Sequence, residues 1–247
     1  MAFFNSKTSK LYLGTADLSA YLKEVSGLPG VRPVNDVTTL ADGGFKGLPS
    51  IEGGQITLDG LFSDVLTGLD FELALFRAAS SLPNGIMSHW PAGDTAGLFG
   101  HASEVDLGDV SIGSRVGDLV TQRATFQTQG PQERIRSIEA SNVITATQNG
   151  SSVDDTSSSS AGGSWYYHIT AFSATGGNAR WQILLEDSVN DSTFATLSAT
   201  QNITAKTSVR TAIPAGTMDR HIRVVITLDA TSGSLTFSVG YNRAGVF

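Results

Sequence analysis

Between residues 116 and 129 the chain reads VGDLVTQRATFQTQ, and its side chains separate by parity. Val120, Ala124 and Phe126 fall on one side; Thr121, Arg123, Thr125 and Gln127 fall on the other. A period of two marks a strand with one buried and one wetted face, because successive side chains of an extended backbone point to opposite sides. The stretch therefore commits the chain to a sheet with one wholly polar face. Residues 55–62 repeat the pattern, with Ile56, Leu58 and Phe62 opposed to Gln55, Thr57 and Asp59. Shorter runs rich in Val, Ile, Thr and aromatics lie at 10–13, 86–90, 102–107, 110–112, 138–147, 165–171, 180–185, 209–213, 222–228 and 235–241. Turn residues separate them, as in all-β proteins. One helix is expected, over 68–81, where Leu69, Leu73 and Phe76, and again Phe71, Leu75 and Ala78, keep helical spacing. Thr67 caps it, Pro83-Asn84-Gly85 ends it, and its mostly apolar surface predicts packing on a sheet.

Gly130-Pro131 interrupts this pattern. Charge divides unevenly as well: 16 acids against 10 bases up to residue 150 give −6, and 7 against 6 beyond it give −1. Two domains are expected, 1–135 and 136–247. The second, with strands alone, reads as a β-sandwich of about a hundred residues. The stretch 149–163, NGSSVDDTSSSSAGG, reads as a loop that does not pack, with Asp154 and Asp155 serving solubility. A second long loop, rich in glycine, is expected over 41–54.

Several chemistries fail for want of residues. In GGFKGLPSIEGG, Lys46 precedes Gly47, no Ser or Thr follows at the required position, and no Gly-Lys pair occurs in the chain, so the Walker phosphate loop is not met. Gly43, Gly44 and Gly47 lack the dinucleotide-binding spacing. With no cysteine, thiol catalysis, disulfides and thiolate zinc sites are excluded. There is no Gly-x-Ser-x-Gly elbow and no His-Glu-x-x-His, and His89, His101, His168 and His221 are scattered over strands, where they read as surface residues. In EDSVNDSTF (186–194), Asp187, Asn190 and Asp191 share one turn; a hairpin loop held by Asx turns fits better than a calcium site, because the EF-hand spacing and glycine are missing. Glu104, Asp106, Asp109 and Asp118 read as a solvated acidic face rather than a catalytic pair. Trp165 and Tyr167 share one strand face, opposite Tyr166, and are the candidates for stacking on a sugar. No catalytic centre, metal or cofactor is expected. The start, MAFFNSKTSK, lacks the apolar run of a signal peptide, which predicts synthesis and folding in a cytoplasm.

Taken in order, LYLGTADLSAYLKEV (11–25), NDVTTLADGGFKGLPSIEGGQITLDGLF (35–62), the expected helix and VGDLVTQRATFQTQG (116–130) resemble the major tail tube proteins of bacteriophages with long, non-contractile tails. The resemblance covers residues 8–132. It implies hexameric rings that stack, each subunit lending four strands to a common barrel of about 24, well beyond the roughly 16–18 at which an aqueous channel stays open. It implies that Thr121, Arg123, Thr125 and Gln127 face a lumen through which double-stranded DNA passes without specific binding, past a wall of net negative charge that repels phosphate. It makes the glycine-rich loop a subunit contact through Phe45, Lys46, Leu48, Pro49 and Ile51. The later segments WYYHITAF, ILLEDSVNDSTFATL, HIRVVITL and LTFSVGYNR are similar to the sandwich domains appended to phage tail and capsid proteins, although Phe194 stands where those have tryptophan. The implied fold is mainly β: a tail-tube sandwich or barrel-forming domain with one packed helix, followed by an Ig-like or jelly-roll-like β-sandwich on the tube exterior. The implied partners are the chain itself, other tail proteins at the tube ends and, through the second domain, host-surface glycans. The implied place is the virion, after assembly in the bacterial cytoplasm. Two other classes compete: a carbohydrate-binding, adhesion or phage decoration module, resting on the aromatics of the sandwich, and a secreted hydrolase, for which the motifs are missing.

Overall fold

The computed structural model describes residues 8–28, 34–36, 47–49, 54–62, 85–114 and 118–244. The helix expected over 68–81, and Phe45, Lys46 and Ile51 of the glycine-rich loop, lie outside them. Among the described residues the protein is mainly β. Its strands begin with β1 (Lys10–Leu13), β2 (Ala16–Asp17), β3 (Leu22–Ser26), β4 (Val34–Asp36), β5 (Gly47–Pro49), β6 (Gln55–Leu61) and β7 (Gly85–Trp90). They continue with β8 (Phe99–Gly113), β9 (Thr121–Thr128), β10 (Glu133–Ile144), β11 (Gln148–Asn149), β12 (Val153–Asp154) and β13 (Gly163–Thr175). The last are β14 (Arg180–Ser188), β15 (Ala195–Thr196), β16 (Gln201–Ile203), β17 (Ser208–Ile213), β18 (His221–Asp229) and β19 (Ser232–Arg243).

The contacts divide the chain into two units, but not by one cut between 135 and 136. Met1–Ala20, Gly85–Ala102 and Glu133–Phe247 form the first, and Tyr21–Asn84 with Ser103–Gln132 the second. The strand β8 runs from one set of residues into the other.

The first unit contains the expected C-terminal sandwich. One sheet runs β17-β13-β19-β10 and the other is built on β18 and β14, with the short β11, β12, β15 and β16 at its margins. Their facing sides bury Trp165, Tyr167, Ile169, Leu235, Phe237, Val239 and Tyr241 against Trp181, Ile183, Leu185, Ile222, Val224 and Ile226. Over Arg180–Asp187 of β14 and His221–Thr227 of β18, buried and half-exposed residues alternate, as in a sheet with one dry face. On β13 and β19 that alternation vanishes: Ser164–Ile169 is buried without a break, as is 237–243. The reason is a second core on their other side, where Tyr166 and Ile135 meet Tyr12, Ile86, Trp90 and Ala102. This core is what joins residues 8–20 and 85–102 to the C-terminal part.

Glycine makes the second core possible at one point. Gly240 of β19 lies opposite Ser137, and a Cβ there would sit 2.9 Å from Ile135 Cδ1 and 3.1 Å from Trp90 Cζ2. Gly240→Ala is expected to cost about 1–3 kcal/mol by overpacking. Urea unfolding should show a lower midpoint with an unchanged slope.

The second unit holds an antiparallel sheet in the order β3-β6-β9-β8 and a separate ladder between β4 and β5. In that ladder Val34, Asn35 and Asp36 pair with Pro49, Leu48 and Gly47. Part of the expected glycine-rich loop is therefore strand, and Leu48 and Pro49 sit on it. The two strands expected at 102–107 and 110–112 are one, β8. A register shift between Leu107 and Asp109 leaves Gly108 as the extra residue, and this bulge breaks the alternation that the sequence shows.

Candidate functional site

The sheet of the second unit carries the molecule's clearest two-faced surface. In the register, Gln127 stands between Gln55 and Asp106, Thr125 between Thr57 and Asp109, and Arg123 between Asp59 and Ser111. On the far side of β6, Glu24 and Ser26 of β3 continue these rows beside Asp59 and Thr57. Directly paired residues share a face, so these side chains form one polar surface across four strands. Thr121, Arg123 and Gln127 are exposed and Thr125 is half-buried; Ala124 and Phe126, on the reverse, are fully buried. The parity read from the sequence thus places all four predicted polar residues together. Its apolar set differs by two residues. Val120 is exposed in the turn before β9, and Gln122 is buried in its stead.

Charge on this face is lopsided. Glu24, Asp59, Asp106 and Asp109 lie on it by register, and Glu104 joins them by parity on β8. Against these stands Arg123, with Lys23 exposed in the bulge beside Glu24. The Arg123–Asp59 pair, 3.9 Å apart with side chains 60% and 39% exposed, is too wet to neutralise much. The Asp106 carboxylate accepts Gln129 Nε2 at 2.6 Å, which fixes its orientation. Asp118, predicted with this cluster, lies in the turn between β8 and β9. Beside it Leu119 is 70% exposed, and Ile112 near the end of β8 is 54% exposed.

Trp165 and Tyr167 do not form a sugar platform. They are 0% and 2% exposed, with ring centroids 5.0 Å apart, inside the core of the sandwich. Parity put them on one face correctly, but that face is the one the second sheet covers. Burial also pushes the Tyr167 phenol up to about 12.

The turn 186–194 takes the Asx form. Asn190 Oδ1 accepts the amides of Ser192 and Thr193, both at 3.1 Å. Asp187 turns inward, where its Oδ2 accepts the Asp219 amide at 2.8 Å and burial raises its pKa. Asp191 instead accepts Ser152 Oγ. The three oxygen-bearing side chains thus serve separate partners rather than one common centre. Among the described residues no group of three or more His, Asp and Glu is arranged to hold a metal ion.

His168 is not a surface residue: it is fully buried, whereas His89, His101 and His221 are half-exposed on their strands. Asp155 departs furthest from its expected role. Its carboxylate, 2% exposed, binds Arg136 and the fully buried Arg243, and accepts the Tyr241 hydroxyl. Arg243 also donates to the Met218 carbonyl at 2.7 Å. Asp154 beside it pairs outside with Arg220, which holds its carboxyl well below the usual range. A further network, in which Glu133 accepts Tyr166 and Arg210, ties β10, β13 and β17 together. Sequence spacing carries no trace of either network, since the bonded members are 19 to 88 residues apart.

No family model matches the chain, and no curated protein matches it. Among solved structures, the Dit protein of SPP1, described as a paradigm of the hub adsorption apparatus in phages that infect Gram-positive hosts, aligns over 93% of this chain and 98% of its own. The identity is 10% and the TM-score 0.36. A chain of the phage P2 baseplate, in its activated conformation with Ca, aligns over 96% and 98% at 10% identity and a TM-score of 0.35. VP2 of infectious bursal disease virus, from a subviral particle, aligns over 100% of this chain and 70% of its own, at 11% identity and a TM-score of 0.27. At these TM-scores the likenesses carry no argument about what the chain does.

Proposed function

We propose that the chain is a structural, non-enzymatic protein of a bacteriophage tail, which closes into hexameric rings that stack into the tail tube and conduct the genome to the host. The observation that carries this reading is the acid-rich polar face of β3-β6-β9-β8. A sheet with one mostly buried face and one mostly polar face, on which Leu61 beside Thr121 is the apolar exception, is suited to lining a water-filled passage. Carboxylates on that face keep a passing duplex from adhering, because binding to DNA draws on cations that meet its phosphates. Among the described residues β3 pairs only with β6, so its outer edge offers free backbone groups for a neighbour's strand. The sequence resemblance over 8–132 supplies the ring and its six-fold order. In this reading Thr121, Arg123, Thr125 and Gln127 face the lumen. The 41–54 segment, with Phe45, Lys46, Leu48, Pro49 and Ile51, contacts the next subunit, and the sandwich lies on the outside of the virion's tail.

Sedimentation velocity tests it. The wild-type chain should sediment as rings or larger stacks, and Phe45→Ser with Leu48→Ser should shift it to monomer while circular dichroism stays unchanged. Rings that never stack would favour a ring at the tail end, the position of a hub. A wild-type chain that stays monomeric at all concentrations would remove the assembly reading.

A further inference from the structure

The sheet of the first unit runs from β17 to β2, and among the described residues these terminal strands share no ladder. The sheet nevertheless curls until β2 touches β13 and β17 touches β7. Where backbone pairing is missing, a side chain makes the connection. His168 of β13 is fully buried, with Nδ1 2.8 Å from the carbonyl oxygen of Gly14 and Nε2 2.8 Å from Ser88 Oγ. Gly14 forms the turn between β1 and β2, and Ser88 lies on β7. A carbonyl only accepts, so Nδ1 carries the proton and donates to Gly14, while Nε2 accepts the Ser88 hydroxyl. The neutral ring satisfies both bonds with Ser88 as the donor, and the full burial of the ring is what disfavours a charge on it.

We propose that neutral His168 is an acid-sensitive latch: it fastens the β1–β2 turn to β7 and β13, and its protonation releases that hairpin. A second proton on the ring would enter at Nε2, turning the Ser88 hydroxyl from donor to acceptor, and would place a charge inside a closed site that no water reaches. No carboxylate among the described neighbours bonds the ring. From β1, Tyr12 stacks on it with centroids 5.5 Å apart, but gives its hydroxyl to Asp94, which also accepts the Ser141 amide. From β2, Asp17 is held by Lys10 and by Ser19. On β13 itself, Tyr166 is engaged with Glu133, which holds Arg210 of β17. On β7, His89 follows Ser88 on the opposite side of the strand and bonds Ser9 Oγ. His101 of β8 lies near His89 and Arg134, and its pKa is lowered by burial and by that guanidinium.

Burial lowers the His168 pKa from 6.5 to about 4, with the Gly14 carbonyl working the other way. The latched state therefore binds fewer protons than the open one. Its advantage is complete above pH 6.5 and is lost as pH falls from there towards 4. The latching equilibrium should fall about tenfold per pH unit in that window, about 300-fold across it, and then level off. This inference stands apart from the assembly reading and needs no ring.

Hydrogen exchange of the full chain from about pH 7.5 to about pH 4.5, corrected for intrinsic rates, tests it. The reporters are the amides of Gly14 and Leu18, which donate to Ile86 and Leu11. In the wild type their protection should fall with the slope just given, while amides of β14 and β18 stay protected. His168→Gln keeps a donor and an acceptor but cannot titrate, and should make the hairpin's protection flat. His89→Gln should leave the wild-type slope in place, although burial holds His89 near 4 as well. A flat wild-type profile overturns the proposal, and so does a slope that survives in H168Q and disappears in H89Q. Should H168Q fail to fold, the ring nitrogen shifts of wild-type His168 decide. A ring neutral at Nε2 until Gly14 loses protection supports the latch. A ring already charged near pH 6 beneath a protected hairpin overturns it.

Discussion

Asp155→Ala will destabilise the first unit by about 3–5 kcal/mol, the usual cost of removing one partner from a buried ion pair. The Asp155 side chain is 2% exposed and that of Arg243 is 0% exposed. Without the carboxylate, Arg243 keeps its bonds to the Met218 and Asp219 carbonyls but loses the one carboxylate it pairs with directly, and the Tyr241 hydroxyl loses its acceptor. The loss measures the charge left behind rather than the worth of the bond. Accordingly, adding Arg243→Met to Asp155→Ala should restore part of the stability, because an apolar side chain needs no counter-ion. Asp154→Ala is the control. Its ion pair with Arg220 is open to water on both sides, and the unfolding midpoint should barely move. Intrinsic fluorescence in urea is the natural measurement, since Trp90, Trp165 and Trp181 are all buried in the first unit. Equally small effects of the two substitutions would mean that the 149–163 segment does not pack after all.

Trp165→Ala will cost a comparable amount, about 3–5 kcal/mol, by opening a cavity between the two sheets of the sandwich. The indole packs on Tyr167 and belongs to the same core as Trp181 and Tyr241. The opposing view, an exposed sugar-stacking ring, predicts the reverse: full stability with loss of glycan binding. Thermal unfolding alongside glycan binding separates the two. A variant as stable as wild type would contradict the core assignment.

These two residues mark where sequence reasoning succeeds and where it stops. Parity along 121–127 was enough to gather Thr121, Arg123, Thr125 and Gln127 on one face, because alternation is a local property of an extended chain. Strands β14 and β18 were legible for the same reason. The parity that grouped Trp165 with Tyr167 was equally sound, yet it does not tell which face meets water. On β13 both faces are dry, and the cover on one of them comes from Tyr12 and Trp90, far away in sequence. The discontinuous first unit is hidden for that reason: the packing of residues 8–20 and 85–102 against β10 and β13 leaves no local signature. Gly108 split one strand into two in the sequence because a bulge shifts the parity by one residue. Asp155 was misread because a serine-rich, charged stretch is usually solvated. Its role is set by Arg136 and Arg243, 19 and 88 residues away.

The central claim is that the polar face of β9 lines the passage of a ring. The chain has no cysteine, so Gln127→Cys supplies a single thiol at an exposed position on that face. Assemblies of this variant, labelled with a maleimide gold cluster and viewed end-on by electron microscopy, give the most direct reading. The account predicts closed rings with label density on the inner wall. Label on the outer rim, or labelled protein that stays monomeric, would contradict it.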